Sequence, residues 1–146
     1  MHLHFHPLPA SDRTWLESLH TACYRPVVED QFGDWDPDVQ AVFFQEKWNT
    51  LPFMTIELDE QRFGVFAVEE APDTTTIHEI LIAPEHQGRG YGSAVIQHIL
   101  DSAKKAAKTV KLKVLLKNRA FSLYKRMGFP ETNTDDTHRY MEWKPA

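Results

Sequence analysis

A glycine-rich turn between a strand-like segment and a helix-like segment constrains the fold of this chain most. Residues 80–82 are Ile-Leu-Ile, glycines follow at positions 88, 90 and 92, and apolar residues with helical spacing begin at Tyr91. Glycines adopt backbone conformations that other residues avoid, and they let a ligand approach the backbone closely. The first turn of a helix has unpaired N–H groups and a partial positive charge. A strand, a glycine turn and a helix in this order therefore predict a cradle for a phosphate group.

Two common phosphate-binding motifs do not fit this turn. A P-loop ends in Gly-Lys-Ser/Thr, whereas the turn here ends in Tyr91-Gly92-Ser93. A dinucleotide fingerprint needs GxGxxG and an acidic residue about 20 positions later. The glycines here are spaced G-x-G-x-G, and the next strand-like segment, 110–116, carries lysines instead. A nucleotide-binding protein of another fold stays open as an alternative.

Proline and glycine divide the chain into short elements. Apolar patterns predict strands at 2–6, 53–58, 62–69, 74–82, 110–116 and 137–143. Helix-start signals stand at Ser11, at Asp36-Pro37 and near Gly90, and apolar spacing predicts a short helix from Ala120. Three consecutive strands suggest an antiparallel meander, and a later strand–helix–strand unit implies one parallel pair. We therefore expect an α+β fold with a central mixed, mostly antiparallel sheet flanked by about four helices.

Two sequence blocks resemble the conserved motifs of the GNAT (N-acetyltransferase) superfamily. Gln87-x-x-Gly90-x-Gly92 resembles the Q/R-x-x-G-x-G/A signature, and residues 118–129 look like N-x-x-A-x-x-L-Y-x-x-x-G-F, one residue shorter before the alanine. The segments 24–26, 31–33 and 137–141 look like one common small bacterial branch. The resemblance covers nearly the whole chain. It implies a GNAT-like acyl-CoA N-acyltransferase fold in a single domain.

The resemblance implies an enzyme that transfers an acetyl group from acetyl-CoA, a co-substrate, to a primary amine by direct attack. The implied domain is residues 1–146. The implied cofactor-binding residues are Leu81, Ile82, Ala83, Gln87, Gly88, Arg89, Gly90, Tyr91, Gly92, Ser93, Asn118 and Tyr124. Loop amides and the helix start would hold the pyrophosphate, and the strand before the loop would pair with the pantetheine arm. A solvated loop side chain is an equal alternative for Arg89. A non-catalytic acyl-CoA-binding or sensor module is the alternative function.

Three residues are candidates for acid–base catalysis. The register of Tyr124 in L-Y-x-x-x-G-F implies a general acid for the leaving thiolate, although its place on an apolar helix stripe also suits a core tyrosine. His78 and Glu79 are candidates for the general base, and water is a third. Neighbouring residues of a strand point to opposite faces, so at most one of the two points directly into the site.

The acceptor is predicted to be a small-molecule or peptide amine that the sequence does not identify. Its pocket is expected to draw on aromatic and histidine side chains, any of which could instead be core residues. The candidates are Tyr24, Trp35, Trp48, His138 and Tyr140.

Composition and charge exclude several classes of protein and partner. The hydrophobic content of 42% excludes a disordered chain, and the formal net charge of −5 argues against nucleic-acid and anionic-membrane partners. No apolar run approaches the roughly 20 residues of a membrane span, and the N-terminus lacks the zones of a secretory signal. We therefore expect a cytoplasmic protein, for which the sequence leaves a homodimer open.

No metal site is predicted. The single cysteine, Cys23, excludes an intramolecular disulfide and a multi-cysteine metal site, and we expect it to be a packed small residue. His2, His4 and His6 stand at alternate positions of the first strand, so they could line one face of it as a metal site. An ordinary exposed strand edge is the favoured interpretation.

Overall fold

A seven-stranded sheet with the strand order β1-β2-β3-β4-β5-β7-β6 forms the centre of the fold. The computed structural model describes residues 2–146, and Met1, which the domain prediction includes, lies outside them. The strands are β1 (His4–Pro7), β2 (Phe53–Leu58), β3 (Gln61–Glu70), β4 (Thr74–Ile82), β5 (Thr109–Leu115), β6 (Glu131–Thr134) and β7 (His138–Trp143). The helices are α1 (Arg13–Phe32), α2 (Pro37–Thr50), α3 (Tyr91–Lys105) and α4 (Ala120–Arg126).

The pairing of the strands confirms the predicted fold class. Strands β4 and β5 run parallel, and the other neighbouring strands pair antiparallel. The strand–helix–strand unit β4–α3–β5 thus supplies the parallel pair, and β2, β3 and β4 form the expected meander. No helix within residues 2–146 combines the length and the apolar character that crossing a membrane requires.

Local side-chain chemistry explains where the first two helices begin and end. The Asp36 carboxylate accepts hydrogen bonds from the backbone N–H groups of Asp38 and Val39, at 3.0 and 3.3 Å, and so caps α2. Helix α1 ends at Gly33, whose φ of 96° is the left-handed conformation that favours glycine. The predicted start of α1 at Ser11 is early, because a 3-10 turn occupies Ala10–Asp12 and the α-helix begins after it.

The two faces of the sheet carry separate hydrophobic cores. Helices α3 and α4 cover one face, where Ile96 and Ile99 of α3 pack with Phe66 of β3. Helices α1 and α2 cover the other face, where Leu16 and Phe44 pack with strand residues. Alternate residues of β3 therefore serve opposite cores, as the period of two in a strand requires.

Strands β4 and β5 separate partway along their length. Their parallel pairing runs from Thr74–Thr109 to Ile77–Leu112, although β4 continues to Ile82. At the same level Ala67 of β3 lies opposite Glu79 while Val68 lies opposite Ile77, so His78 is the extra residue of a β-bulge. The separation leaves a cleft beside the last residues of β4, directly before the glycine turn.

Candidate active site

The glycine turn links the end of β4 to the start of α3. Gly88 and Gly90 have φ values of 78° and 84°, which glycine adopts at low cost. Gly90 is the N-cap of α3, and no side chain caps that end of the helix. A Cβ atom at either glycine would meet nothing within 4 Å. The first amides of α3 therefore border open space, as a phosphate cradle requires.

Side chains of the turn divide between packing and solvent. The amide of Gln87 donates to the Ile82 carbonyl at 2.9 Å and ties the turn to the end of β4. The Tyr91 ring stacks on Phe63 with a centroid distance of 4.1 Å, so this side chain anchors the helix start. Arg89 is exposed and has no carboxylate partner within residues 2–146, which leaves both interpretations of this residue open.

The backbone of β4 alternates between β3 and the cleft. The Ala83 N–H donates to the Phe63 carbonyl at 2.8 Å, so Ala83 and, two positions earlier, Leu81 direct their backbone groups toward β3. The groups of Ile80 and Ile82 consequently point toward the cleft. The family resemblance implied residues 81–83 as a block and did not single out Ile80, because a sequence pattern does not show which strand partner each residue bonds.

Glu79 is the centre of a hydrogen-bonded cluster on the α1 and α2 side of the sheet. Glu79 is only 4% exposed to solvent. The Tyr24 hydroxyl donates to one carboxylate oxygen at 2.5 Å, and the Lys47 Nζ lies 2.5 Å from the other. Lys47 also lies 3.0 Å from His20 Nε2 and 4.3 Å from the centre of the Tyr24 ring. We call these four residues, His20, Tyr24, Lys47 and Glu79, the Glu79 cluster.

Burial and the Glu79 charge change the proton affinity of the groups nearby. Burial is the larger cause and the charge of the Glu79 carboxylate the smaller one that raise the pKa of Tyr124 above its ordinary range. The same two causes raise the pKa of Tyr24. Burial, helped by the Lys47 charge, lowers the pKa of His20 to about 3. At neutral pH both tyrosines are therefore protonated and His20 is neutral.

Cys23 is a packed thiol beside this cluster. Its Sγ lies 3.3 Å from the Ile82 carbonyl, to which it donates, and it packs against the α1 and α2 core. Burial and the negative charge of Glu79 raise the pKa of Cys23 to about 11. The thiol is thus protonated near neutral pH, which fits a packing residue rather than a nucleophile.

The structure separates the two candidate bases. Glu79 lies in the cluster with Tyr24, and its charge acts on Tyr124. His78 instead lies at the bulge, and its Nε2 is 2.8 Å from Glu69 in an exposed pair. Glu79 therefore lies with the other candidate groups and His78 does not. Because His78 is the extra residue of the bulge, this separation follows from their different partners and not from the simple alternation of strand side chains.

Asn118 lies just before α4 and Tyr124 lies within it, both across the cleft from β4. The Asn118 Oδ1 accepts from the Ala120 N–H at 2.9 Å, so this oxygen helps to start the helix. The Tyr124 ring is buried against Phe129 with a centroid distance of 5.6 Å. No hydrogen-bond partner for the Tyr124 hydroxyl lies among residues 2–146, which leaves its proton available to a bound molecule.

The predicted acceptor residues fall into three places. Tyr24 belongs to the Glu79 cluster, and Trp35 lines a cavity of about 140 Å³ between α1 and α2 that His20 also borders. Trp48 packs against the α1 and α2 core. The remaining two, His138 and Tyr140, lie on β7, where the Tyr140 hydroxyl donates to Asp135 at 2.6 Å.

Sequence analysis missed His20 and Lys47. Both lie on helices, in α1 and α2, and their spacing along the chain from Glu79 follows no motif. Only the packing of α1 and α2 on the same face of the sheet brings them together. Within residues 2–146, histidine, cysteine and acidic side chains do not assemble into a group of three that could hold a metal ion.

Comparisons with known proteins show which proteins this chain is similar to. Two similar curated proteins are an uncharacterised N-acetyltransferase of Methanocaldococcus jannaschii, 41% identical over 64 residues, and the [ribosomal protein bS18]-alanine N-acetyltransferase of Escherichia coli, 32% identical over 73 residues. The matched segments cover 42% and 48% of this chain. They span only 28% and 49% of the two relatives, about half their length or less.

Solved structures share the fold over nearly the whole chain. The PaiA N-acetyltransferase of Thermoplasma acidophilum, crystallised in complex with coenzyme A, has a TM-score of 0.79 at 17% identity and is covered to 99%, as is this chain. The Escherichia coli ribosomal-protein-S18-alanine N-acetyltransferase has a TM-score of 0.70 at 18% identity, with 99% of this chain and 95% of that chain covered. The model of the acetyltransferase (GNAT) family matches residues 14–129. The chain therefore belongs to the GNAT family of acetyltransferases.

Proposed function

We propose that this chain transfers the acetyl group of acetyl-CoA to a primary amine, as one catalytic domain over residues 1–146. The observation that carries the proposal is the buried Glu79 carboxylate on β4, beyond the point where β4 and β5 separate; its charge, after burial, raises the pKa of Tyr124. A base and an acid flank the place where a thioester would lie. Family membership supports the same reaction.

The cleft and the glycine turn suit the two ends of acetyl-CoA. The amides from Gln87 to Ser93 border open space and carry the positive end of the α3 dipole, which suits a pyrophosphate. The cleft-facing backbone groups of Ile80 and the Ile82 N–H can pair with an extended amide-containing arm as an added strand would, whereas the Ile82 carbonyl already accepts from Gln87 and Cys23. The Asn118 side-chain NH₂ can donate to the same arm. The Ile80 N–H is our candidate for polarising the thioester carbonyl.

Glu79 is our proposed general base, in place of His78 or water. The carboxylate accepts a proton from the acceptor ammonium, and the free amine attacks the thioester carbonyl. Tyr24 and Lys47 hold the carboxylate in place through one hydrogen bond and one ion pair. A fixed orientation favours attack because less motional freedom is lost in the transition state.

Tyr124 is our proposed general acid. It is protonated at neutral pH, and its hydroxyl has no hydrogen-bond partner among residues 2–146. A thiol has a pKa of about 8.5, so the leaving thiolate is stable enough that a nearby phenolic proton need only assist it. Assistance of this kind is typically worth roughly 10²–10⁴-fold.

Calorimetric titration with CoA, NADH and ATP tests cofactor choice. We expect CoA to bind, since the turn lacks both nucleotide motifs. Tight binding of NADH or ATP without binding of CoA would contradict the proposal.

A thiol-release assay with acetyl-CoA and a library of amines tests catalysis. The library should include peptides with an N-terminal alanine, because one relative is named for acting on such a residue in a ribosomal protein. Binding of CoA with no thiol release from any amine would favour the non-catalytic acyl-CoA-binding module instead.

Location and assembly rest on the sequence. A cytoplasmic location stays a prediction, which a fusion to a fluorescent protein would test. A homodimer stays a prediction that light scattering of the purified chain can measure.

A further inference from the structure

Lys47 places a primary amine of the chain itself in the middle of the candidate site. Its Nζ lies 2.5 Å from a Glu79 oxygen, 3.0 Å from His20 Nε2 and 4.3 Å from the centre of the Tyr24 ring. A carboxylate, an imidazole nitrogen and an aromatic face are the three kinds of group that bind a primary ammonium. The Glu79 cluster is therefore a built ammonium site.

The direction of the hydrogen bonds supports this description. Burial keeps His20 neutral, with its pKa lowered to about 3, so its Nε2 can accept while Nδ1 carries the proton. Lys47 has no lone pair as an ammonium, and it donates to both His20 and Glu79. A proton on Nζ thus has a carboxylate already in place to receive it.

Lys47 reaches this position from the last turn of α2 through a flexible stem. Its side chain is 29% exposed, whereas that of Glu79 is 2% exposed. The stem is flexible and the side chain is partly open to solvent, so the amine can move without unfolding the helix. An external acceptor would share the Glu79 carboxylate with Lys47.

We propose that Lys47 is an internal acetyl acceptor, modified at Nζ by the chain's own acetyltransferase site. Glu79 removes a proton from the Nζ ammonium, and the amine attacks the thioester carbonyl of acetyl-CoA. The new C–N bond forms as the C–S bond breaks, and Tyr124 supplies a proton to the departing thiolate. The second amine proton reprotonates Tyr124 through solvent, and Glu79 releases its proton to solvent, so one proton is released for each acetyl group transferred. The products are N-acetyl-Lys47 and CoA. The inference rests on the proposed function.

Peptide mass spectrometry of the full chain incubated with acetyl-CoA alone tests the inference. Lys104 and Lys105 are exposed at the end of α3 and serve as internal references for uncatalysed acetylation. We expect Lys47 to be modified at least about 10²-fold faster than either, the lower limit of acid–base assistance. The rate should not depend on protein concentration. Modification of Lys47 at or below the reference rate would overturn the inference.

Variants separate catalysis from simple exposure. Tyr124→Phe should slow the modification of Lys47 while leaving the rates at Lys104 and Lys105 unchanged, and Glu79→Gln should do the same. An unchanged Lys47 rate in a folded Tyr124→Phe protein would count against the inference. Calorimetry with CoA on the same preparation distinguishes two failures. Binding without modification sinks only this inference, and absence of binding sinks the proposed function.

Restoring the missing amine gives a second measurement that does not depend on Glu79 variants. Lys47→Ala removes the atoms from Cγ to Nζ, which correspond to n-propylamine. We expect n-propylamine to stimulate thiol release by Lys47→Ala at least about tenfold more than by the unmodified chain, because the ammonium site is then empty. Equal stimulation of the two proteins, with both folded by circular dichroism, would contradict an acceptor role for this position.

Discussion

Glu79 is a buried carboxylate whose stability in the fold depends on its partners. Removing a charge from water costs several kcal/mol unless hydrogen bonds and an opposite charge replace the solvent. Tyr24 and Lys47 supply one partner for each oxygen. At the scale of single residues, the site is thus held by contacts between α1, α2 and β4 that no sequence motif records.

Tyr24→Phe removes one of the two partners of Glu79. We expect a loss of unfolding free energy of about 1.5–3 kcal/mol, because a hydrogen bond to a buried charge is lost. Denaturant unfolding measures the loss. Tyr140→Phe is the matched control, since Tyr140 also donates to a carboxylate but does so at the surface. An equal loss in both variants would show that the buried bond has no special value.

The neutral state of His20 makes stability depend on pH. Its pKa is about 3 in the fold and about 6.5 in the unfolded chain, so below pH 6.5 the unfolded chain binds a proton that the folded chain does not. Stability is therefore lost as the pH falls from 6.5 toward 3.

A His20→Gln variant isolates this contribution. Its unfolding free energy should fall less between pH 6.5 and about 3 than that of the unmodified chain, because glutamine does not titrate. His4→Gln, at an exposed position of β1, controls for the replacement of a histidine by glutamine. Parallel profiles for His20→Gln and the unmodified chain would refute this assignment.

At the scale of elements, the glycine turn and the bulge in β4 position the site. The sequence predicts the turn well because its backbone is left-handed at positions 88 and 90, a conformation that favours glycine. The bulge at His78 has no sequence signal, because it follows from the register between β3 and β4. Without that register, alternation could place only one of the neighbours His78 and Glu79 in the site and could not choose between them.

Gly64 fixes how closely β3 approaches β4. A Cβ atom on Gly64 would lie 2.3 Å from the Leu81 carbonyl oxygen, a backbone atom that cannot move without shifting β4. We expect Gly64→Ala to cost about 1–3 kcal/mol of unfolding free energy, as overpacking does. Gly92→Ala is the control for stability, because its Cβ meets only a Leu123 methyl at 3.6 Å. A Gly64→Ala protein as stable as Gly92→Ala would contradict the close approach.

Gly90 is the residue at which the phosphate cradle can be tested by charge. Gly90→Ala and Gly90→Glu share the strain of a side chain at a φ of 84°, but only glutamate adds a negative charge at the start of α3. We expect Gly90→Glu to abolish CoA binding in calorimetry and Gly90→Ala to weaken it less. Equal affinities of the two variants would remove the electrostatic argument for the cradle.

At the scale of the whole molecule, the two faces of the sheet carry different parts of the candidate site. Helices α3 and α4 cover one face and carry the glycine turn and Tyr124, while α1 and α2 cover the other and hold the Glu79 cluster. Strand β4 contributes to both. Apolar patterns predict most strands of the sheet: β2 and β4 match the predicted ranges 53–58 and 74–82, whereas β6 has no counterpart among the predicted ranges.

Contacts across this architecture are what the sequence could not supply. Lys47 and His20 reach Glu79 because two helices pack against one face, and helix packing depends on the full set of core side chains rather than on local spacing. Patterns of apolar residues therefore predict most of the elements, and the glycines predict the turn before α3. They do not predict the partners of a buried charge.

A crystal structure with acetyl-CoA tests the central claim most directly. We predict that the diphosphate lies on the amides of residues 87–92 and that the arm runs between β4 and β5, with its thioester between Glu79 and Tyr124. A cleft left empty at saturating acetyl-CoA, or a diphosphate bound elsewhere on the chain, would contradict the account.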